Sequence, residues 1–348
     1  SILDTFKQIE ELPRRIKAIF KGDDKGAQLL QRSFLGLFAY VSNRVPEISD
    51  SAFAIDDAMR SGFAWDKGPF EIWDMLGVSE GIALAEAQGE QIAPWVKKMA
   101  ADGHNSFYRS EGGKRKCYNP ATSQYEALPG AESFIILDTF RENKPVFSNS
   151  ECTLHDIGDG VLCLEFHSKM NSIGEGILRG LNESVRIAEE EGWKGIVIGN
   201  NATNFTVGAN LMMVAMLAYQ QEWDELNMAV SLFQNTSMRL RYSAIPVVAA
   251  TQGYVFGGGC EFAMHCDGVV AAAESYIGLV EVGVGIIPGG AGTKEFAVRL
   301  SDEISQEGNV QIPSLIERFK TIATAQVATS AQEAFKYGYL SPVKDKIS

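Results

Sequence analysis

Apolar residues recur at helical spacing through AQLLQRSFLGLFAYVSNRV (27–45) and again through IALAEAQGEQIAPWVKKMA (82–100). Between them, IDDAMRSGFAWDKGPFEIWDMLG (55–77) reads as a short helix, a turn and another short helix. Pro69 stands where a first helical turn tolerates a missing N–H. Residues 104–130 are polar around Gly112-Gly113 and predict a hairpin or a long loop. From residue 150 the pattern changes to alternating strand and helix. CTLHDIG and GVLCLEF predict a hairpin, ILRGLNESVRIAEEE (177–191) an amphipathic helix and WKGIVIGN (193–200) a buried strand. Helices follow over 211–241, then strand IPVVAA (245–250), short helix GGCEFAMHC, strand DGVVAAA and helix GTKEFAVRL. Such alternation predicts an α/β sheet flanked by helices. FRENKPVFSNSE (140–151) is the linker candidate, so the expected domains are 1–143, helical, and 144–348, α/β.

Composition narrows the function classes. Of 348 residues, 45% are hydrophobic and 22% charged, and the formal charge is −13. These values fit a folded globular chain and argue against a general binder of nucleic acid or anionic membrane. Five cysteines (117, 152, 163, 260, 266) form no CxxC pair, which points to reduced thiols and a cytoplasmic location. No membrane span and no secretory leader is read. The start at Ser1, without methionine and in mid-helix pattern, suggests a piece of a longer protein.

Several motifs fail on context. Gly77-Val78-Ser79-Glu80-Gly81 fits G-x-S-x-G, but a helix precedes it rather than a strand, and Ser79 reads as an N-cap. No G-x-G-x-x-G follows a strand, because Pro288 stands where the third glycine of 283–288 should be, so no NAD turn is expected. His104, His155, His167 and His265 show no metal spacing.

Glycine carries the stronger signal. Eleven of 34 glycines fall between Gly253 and Gly292, where even spacing gives about four. A strand runs into Gly253, and Gly257-Gly258-Gly259 then opens a helix, leaving unobstructed N–H groups at the positive end of a helix dipole. Glu261 lies in the first turn, where a surface glutamate could simply compensate the dipole. Glu281 sits in the apolar segment GLVEVGVGIIPGG, and burial there would raise its pKa. Upstream, Gly208-Ala209 precedes another helix and could supply a further free amide.

Together, GYVFGGGCEFAMHCD and GLVEVGVGIIPGGAGT resemble the crotonase (enoyl-CoA hydratase/isomerase) superfamily over roughly 150–348. The resemblance implies a crotonase-type (ClpP/crotonase) sheet with surrounding helices. It implies that Ala209 and Gly258 donate the two N–H groups of an oxyanion hole for an acyl-CoA thioester. Glu261 and Glu281 match the two positions that carry glutamate in hydratases. HSKMNSI (167–173) resembles the early loop lying along the CoA, so Lys169, Gly208 and Gly257 are expected to line the substrate. Asn210 departs from the Asp common there, and Leu211–Met213 lack a lysine often found. SDEISQEGNVQIPSLIE (301–317) is longer than the usual connection, and the chain stops at DKIS before the family's closing helices.

The first half resembles the all-α C-terminal domain of 3-hydroxyacyl-CoA dehydrogenases, most clearly at 55–77. The whole resembles the back part of a bacterial fused dehydrogenase–hydratase. NAD is then expected only on a Rossmann part absent from this chain. The implied activity is hydration of trans-2-enoyl-CoA in fatty-acid β-oxidation, with no cofactor or metal in this chain. The alternatives are double-bond isomerisation and a non-catalytic acyl-CoA-binding or assembly module. A homo-oligomer is left open.

Overall fold

The computed structural model describes residues 6–9, 11–111, 114–130, 134–141, 143–303 and 312–348. They fall into two compact units, Ser1–Thr139 and Phe140–Ser348.

The first unit carries helices α1 (Leu12–Lys21), α2 (Lys25–Asn43), α3 (Ala52–Phe63), α4 (Pro69–Leu76), α5 (Val78–Ala87) and α6 (Pro94–Ala101). Local chemistry sets their starts. The Asp24 carboxylate accepts from the Ala27 N–H at 2.7 Å, and Pro69 opens α4 as its fixed φ allows. Asp56 of α3 accepts from the Phe70 and Glu71 N–H groups at 2.9 and 3.1 Å, so a buried side chain from another helix caps α4. Phe38, Phe70, Trp73 and Phe107 are fully buried, with Phe38 and Trp73 stacked at 4.8 Å. Ser79 does not cap α5. That helix follows α4 after one residue, with Gly77 at its N-cap, so Ser79 lies inside the first turn.

Residues 104–130 depart from the expected hairpin or loop. They form a three-stranded antiparallel sheet of β1 (Tyr108–Glu111), β2 (Lys114–Asn119) and β3 (Gln124–Ala127). Tyr108, Cys117, Tyr118 and Leu128 join the helical core through this sheet. The unit is therefore mainly helical rather than all-α. Gly112-Gly113 lie outside the described residues.

The second unit is built on an eight-stranded sheet. Its strands are β4 (Phe147–Ser148), β5 (Cys152–Asp156), β6 (Val161–Phe166), β7 (Gly195–Ile198), β8 (Val247–Phe256), β9 (Gly268–Gly278), β10 (Val327–Ala328) and β11 (Lys346–Ile347). The order is β10-β9-β8-β7-β6-β5-β4, with β11 pairing β9. Strands β6 to β9 are parallel, while β4, β5 and β10 pair antiparallel. The helices are α7 (Glu175–Glu191), α8 (Leu211–Tyr219), α9 (Trp223–Arg241), α10 (Gly258–His265), α11 (Gly292–Glu303), α12 (Ile312–Ala323) and α13 (Ala331–Tyr337). Helix α7 buries Ile177, Leu181, Val185 and Ala188 on one stripe, which meets the sheet residues Leu154, Leu164 and Ile196 in one core.

The stretch 140–151, read as a linker, belongs to this unit. Phe147 pairs with Leu154, and the Arg141 guanidinium donates to the buried Glu165 carboxylate at 2.5 and 3.3 Å. The units therefore divide at 139/140, four residues before the 143/144 expected from the linker. Within the long connection 301–317, residues 304–311 lie outside the described residues.

Candidate active site

Parallel strands deliver their C-terminal ends, and the helix starts that follow, to one edge of the sheet, where α/β sites are commonly built. Strand β8 ends at Phe256, and Gly257 turns the chain into α10 at φ +52° and ψ −122°, a conformation closed to most side-chain-bearing residues. Strand β9 then returns beside β8, and the Gly257 N–H donates to the Gly278 carbonyl at 2.9 Å. The chain that leaves β9 is thus carried back to the start of α10. Glu281 opens a 3-10 turn there, Glu281–Val284.

Both glutamates are buried at this point. Glu261 is 2% exposed, so it does not act as a solvated dipole-compensating residue. Its Oε1 accepts from the Gly292 N–H at 2.7 Å. Burial, with the Glu281 charge adding to it, pushes the Glu261 carboxyl up to about 8, against the pull of the Gly292 and Gly290 amides. Glu281 is 9% exposed, and burial pushes its carboxyl up to about 7. A Cβ at Gly257 would stand 3.0 Å from Glu281 Oε1, which puts this carboxyl against the helix start. Glu281 Oε2 is buried without a hydrogen-bond partner among the described residues. A buried acceptor of this kind invites a donor from a ligand or water. Both carboxyls are thus raised into the neutral range, Glu261 further because the Glu281 charge adds to its burial.

The two amides sit beside them. Gly208 adopts φ +96°, and a Cβ there would approach the Phe256 carbonyl to 2.9 Å and the Gly258 nitrogen to 3.5 Å. The loop before α8 therefore runs alongside the start of α10. Ile173 clamps that loop from its other side: its N–H donates to the Gly208 carbonyl at 2.8 Å and its carbonyl accepts from Asn210 at 3.0 Å. Neither the Ala209 nor the Gly258 N–H donates to an acceptor among the described residues. Asn210 serves as the N-cap of α8, its Oδ1 accepting from Met212 and Met213 at 3.2 and 3.4 Å. Lys169 lies exposed on the 3-10 turn Lys169–Asn171, just before Ile173. A cavity of about 370 Å³ flanks that turn, lined by Arg141, Glu165, His167, Met170, Asn171 and Asn204 among others.

The histidines stand apart from this chemistry. His265 is buried one turn along α10, and burial pulls it down to about 4. Lys294 Nζ donates to its Nε2 at 2.9 Å, so the proton sits on Nδ1, which meets the Glu261 carbonyl at 2.6 Å. His155 contacts Glu165 at 3.1 Å, His167 meets Thr153 Oγ1 at 3.0 Å, and His104 packs against Tyr118 and Tyr125. All five cysteines are free and buried. No group of three metal-ligating side chains occurs among the described residues, and no helix among them is long and apolar enough to cross a membrane.

The sequence reading did not single out the Gly292 amide or Phe233. The Phe233 ring stacks on Phe262 at 4.6 Å and fills the space a side chain at Gly258 would need. The glycine cluster PGGAGT was the available signal for the first, whereas nothing in the local sequence marks the second. Ala291, between those glycines, is held at φ +93°, a conformation that costs a non-glycine residue about 1–3 kcal/mol.

Comparison with known proteins finds similarity over this region. Residues 156–309 match the family described as enoyl-CoA hydratase/isomerase. A "Probable 3-hydroxyacyl-CoA dehydrogenase" of Bacillus subtilis is 38% identical over 347 residues, covering 99% of this chain and 43% of that protein. A "Putative fatty acid oxidation complex trifunctional enzyme" of Rickettsia prowazekii is 27% identical over 303 residues, covering 87% of this chain and 38% of that protein. The mitochondrial enoyl-CoA hydratase of Pongo abelii is 30% identical over 149 residues, 42% of this chain and 49% of its own length. The chain spans less than half the length of each of these relatives.

Proposed function

We propose, from the similarity of residues 156–309 to the enoyl-CoA hydratase/isomerase family, that the second unit hydrates trans-2-enoyl-CoA thioesters. The observation that carries the reading is the pair of buried carboxyls, Glu261 and Glu281, raised to about 8 and about 7, beside two uncommitted backbone N–H groups. Hydration needs one base and one acid at the same time, and two neighbouring buried carboxyls that exchange protons near neutrality can supply both.

In this reading the thioester carbonyl accepts from the Ala209 and Gly258 N–H groups. Glu261 takes a proton from water as its oxygen bonds to C3. The electron pair of the C2–C3 double bond moves toward the carbonyl, and the negative charge gathers on the thioester oxygen. Glu281 then delivers a proton to C2, and the net change is addition of H and OH. Donors aimed at a developing oxyanion in a dry site are worth about 3–4 kcal/mol each. Gly208 and Gly257 hold the loops that present these donors, and Lys169 stands near the CoA path. The acyl-CoA is substrate, and no further cofactor is assigned to this chain. The relatives' names support a place in fatty-acid oxidation, beside a dehydrogenase part outside this chain. A cytoplasmic setting is part of the proposal.

The test is loss of the ultraviolet absorbance of the conjugated thioester when the protein meets crotonyl-CoA in water. Formation of 3-hydroxybutyryl-CoA supports hydration. Migration of the double bond in a 3-enoyl-CoA without net hydration would assign the site to isomerisation. Saturable binding with no turnover of either substrate would leave a binding module.

A further inference from the structure

Helix α9 contributes none of the reacting groups, yet it governs the loop that holds one of them. The helix is tied to α7: Asn182 Nδ2 donates to Thr236 Oγ1 at 2.8 Å, and Arg239 pairs with Glu189. Ser237, on this anchored stretch, is fully buried, and its hydroxyl donates to the Gly290 carbonyl at 2.7 Å. Gln234, one turn earlier, donates to the Gly289 carbonyl at 2.7 Å. Two residues beyond Gly290, the Gly292 N–H donates to Glu261 Oε1. Between the held carbonyl and the donating amide stands Ala291 at φ +93°. A strained residue of this kind persists only where its surroundings fix the flanking peptides.

We infer that Ser237 is a positioning residue for Glu261: by holding the Gly290–Ala291 peptide, it keeps the strained turn that aims the Gly292 N–H at the carboxylate. The inference rests on the reading of Glu261 as the base for water. The loop is already in contact with that carboxylate, since a Cβ at Gly290 would fall 2.3 Å from Glu261 Oε2. Its freedom is therefore rotation of peptides rather than displacement. Without the Ser237 hydroxyl, Ala291 is free to relax to negative φ, turning the Gly292 N–H away and leaving Glu261 to rotate.

Steady-state hydration of crotonyl-CoA by Ser237→Ala, Glu261→Gln and the double variant tests this. Ser237→Ala should lower kcat ~10-fold with KM changed less than about twofold, because the group acts on the base and not on the substrate. Added to Glu261→Gln, Ser237→Ala should cost nothing more, since its effect runs through the missing carboxylate. Ala291→Gly, placed in the Ser237→Ala protein, should restore at least about threefold, because glycine keeps the turn without strain. Ser237→Cys, which keeps a weak donor and the side-chain size, should fall between wild type and alanine. An unchanged kcat in Ser237→Ala, a rise in KM alone, or a full ~10-fold loss in the Glu261→Gln background would overturn the inference. Wild-type turnover by Glu261→Gln would instead remove the catalytic reading on which it stands.

Discussion

Replacing Glu281 by Gln keeps the shape of a buried side chain and removes its exchangeable proton. The site then lacks the acid for C2, and hydration should fall by ~10²-fold or more while acyl-CoA affinity changes little. The same change should also alter stability, with a sign fixed by the protonation state. A carboxyl raised from 4.5 to about 7 on folding binds its proton more tightly in the native state. Its burial penalty is absent below the unfolded pKa, grows as pH rises through the interval from 4.5 to about 7, and is complete above it. At about 1.4 kcal/mol per pKa unit the complete penalty is about 3 kcal/mol. The glutamine of Glu281→Gln carries no charge and incurs none of it. The stability of the variant relative to the native chain should therefore widen by about 2 kcal/mol between about pH 5.5 and about pH 8.5. For a unit of this size that is a rise in relative melting temperature of roughly 4–8 °C. Circular dichroism melts at the two pH values, run with the hydration assay, measure both effects. A stability difference that stays constant with pH, or hydration at the native rate, would refute a buried carboxyl that titrates near neutrality and serves the reaction.

Gly258→Ala should reduce hydration by ~10²–10³-fold, because its methyl would meet Phe233 Cζ at 2.4 Å and push the donor amide out of line. Retention of native turnover with a native dichroism spectrum would contradict a role for that amide. Glu71→Gln should destabilise the first unit by about 2 kcal/mol, since it weakens the charge-assisted bonds by which Glu71 holds Arg60 and Arg115 at 2.7 and 2.8 Å, while Arg60 keeps Asp57 and both guanidinium groups keep some access to water. A melt unchanged in midpoint would show the pair to be solvent-compensated. NADH fluorescence should not change on addition of micromolar protein, because no dinucleotide fingerprint follows a strand in this sequence. Enhancement with saturation would reverse that expectation.

The candidate site was legible where its residues lie close together in the sequence. Gly257–Gly259, Glu261 and Glu281 lie within one short stretch, and their residue types are unusual for the strand–helix–strand path they follow. The three-stranded sheet of the first unit was hidden because KRKCYN opens with three cationic residues spread over both faces, Arg115 turning inward to the buried Glu71, and then buries Cys117 and Tyr118 in succession, so no apolar–polar alternation shows. The extension of β8 to Phe256 was hidden in a different way. TQGYVF carries a glycine and polar residues, and the ladder with β9 survives them only by shifting register between Thr251 and Gly253.

What the sequence could not display is chemistry carried by the backbone and aimed from a distance. The Gly292 amide that holds Glu261 belongs to a turn whose defining residue is an alanine, and nothing in the letter alanine announces positive φ. The Ser237 hydroxyl lies 53 residues from the carbonyl it holds. In an amphipathic stretch such as TSMRLR a serine reads as an ordinary polar position, and only the packing of α9 on α10 makes it a buried donor. Asn210 shows the converse. Read as a departure from an expected aspartate, it takes up a helix N-cap that either side chain can fill, so the fold tolerates the exchange without moving the adjacent Ala209 amide. The residues proposed to do the chemistry are thus marked by type, while those proposed to aim them are marked only by place.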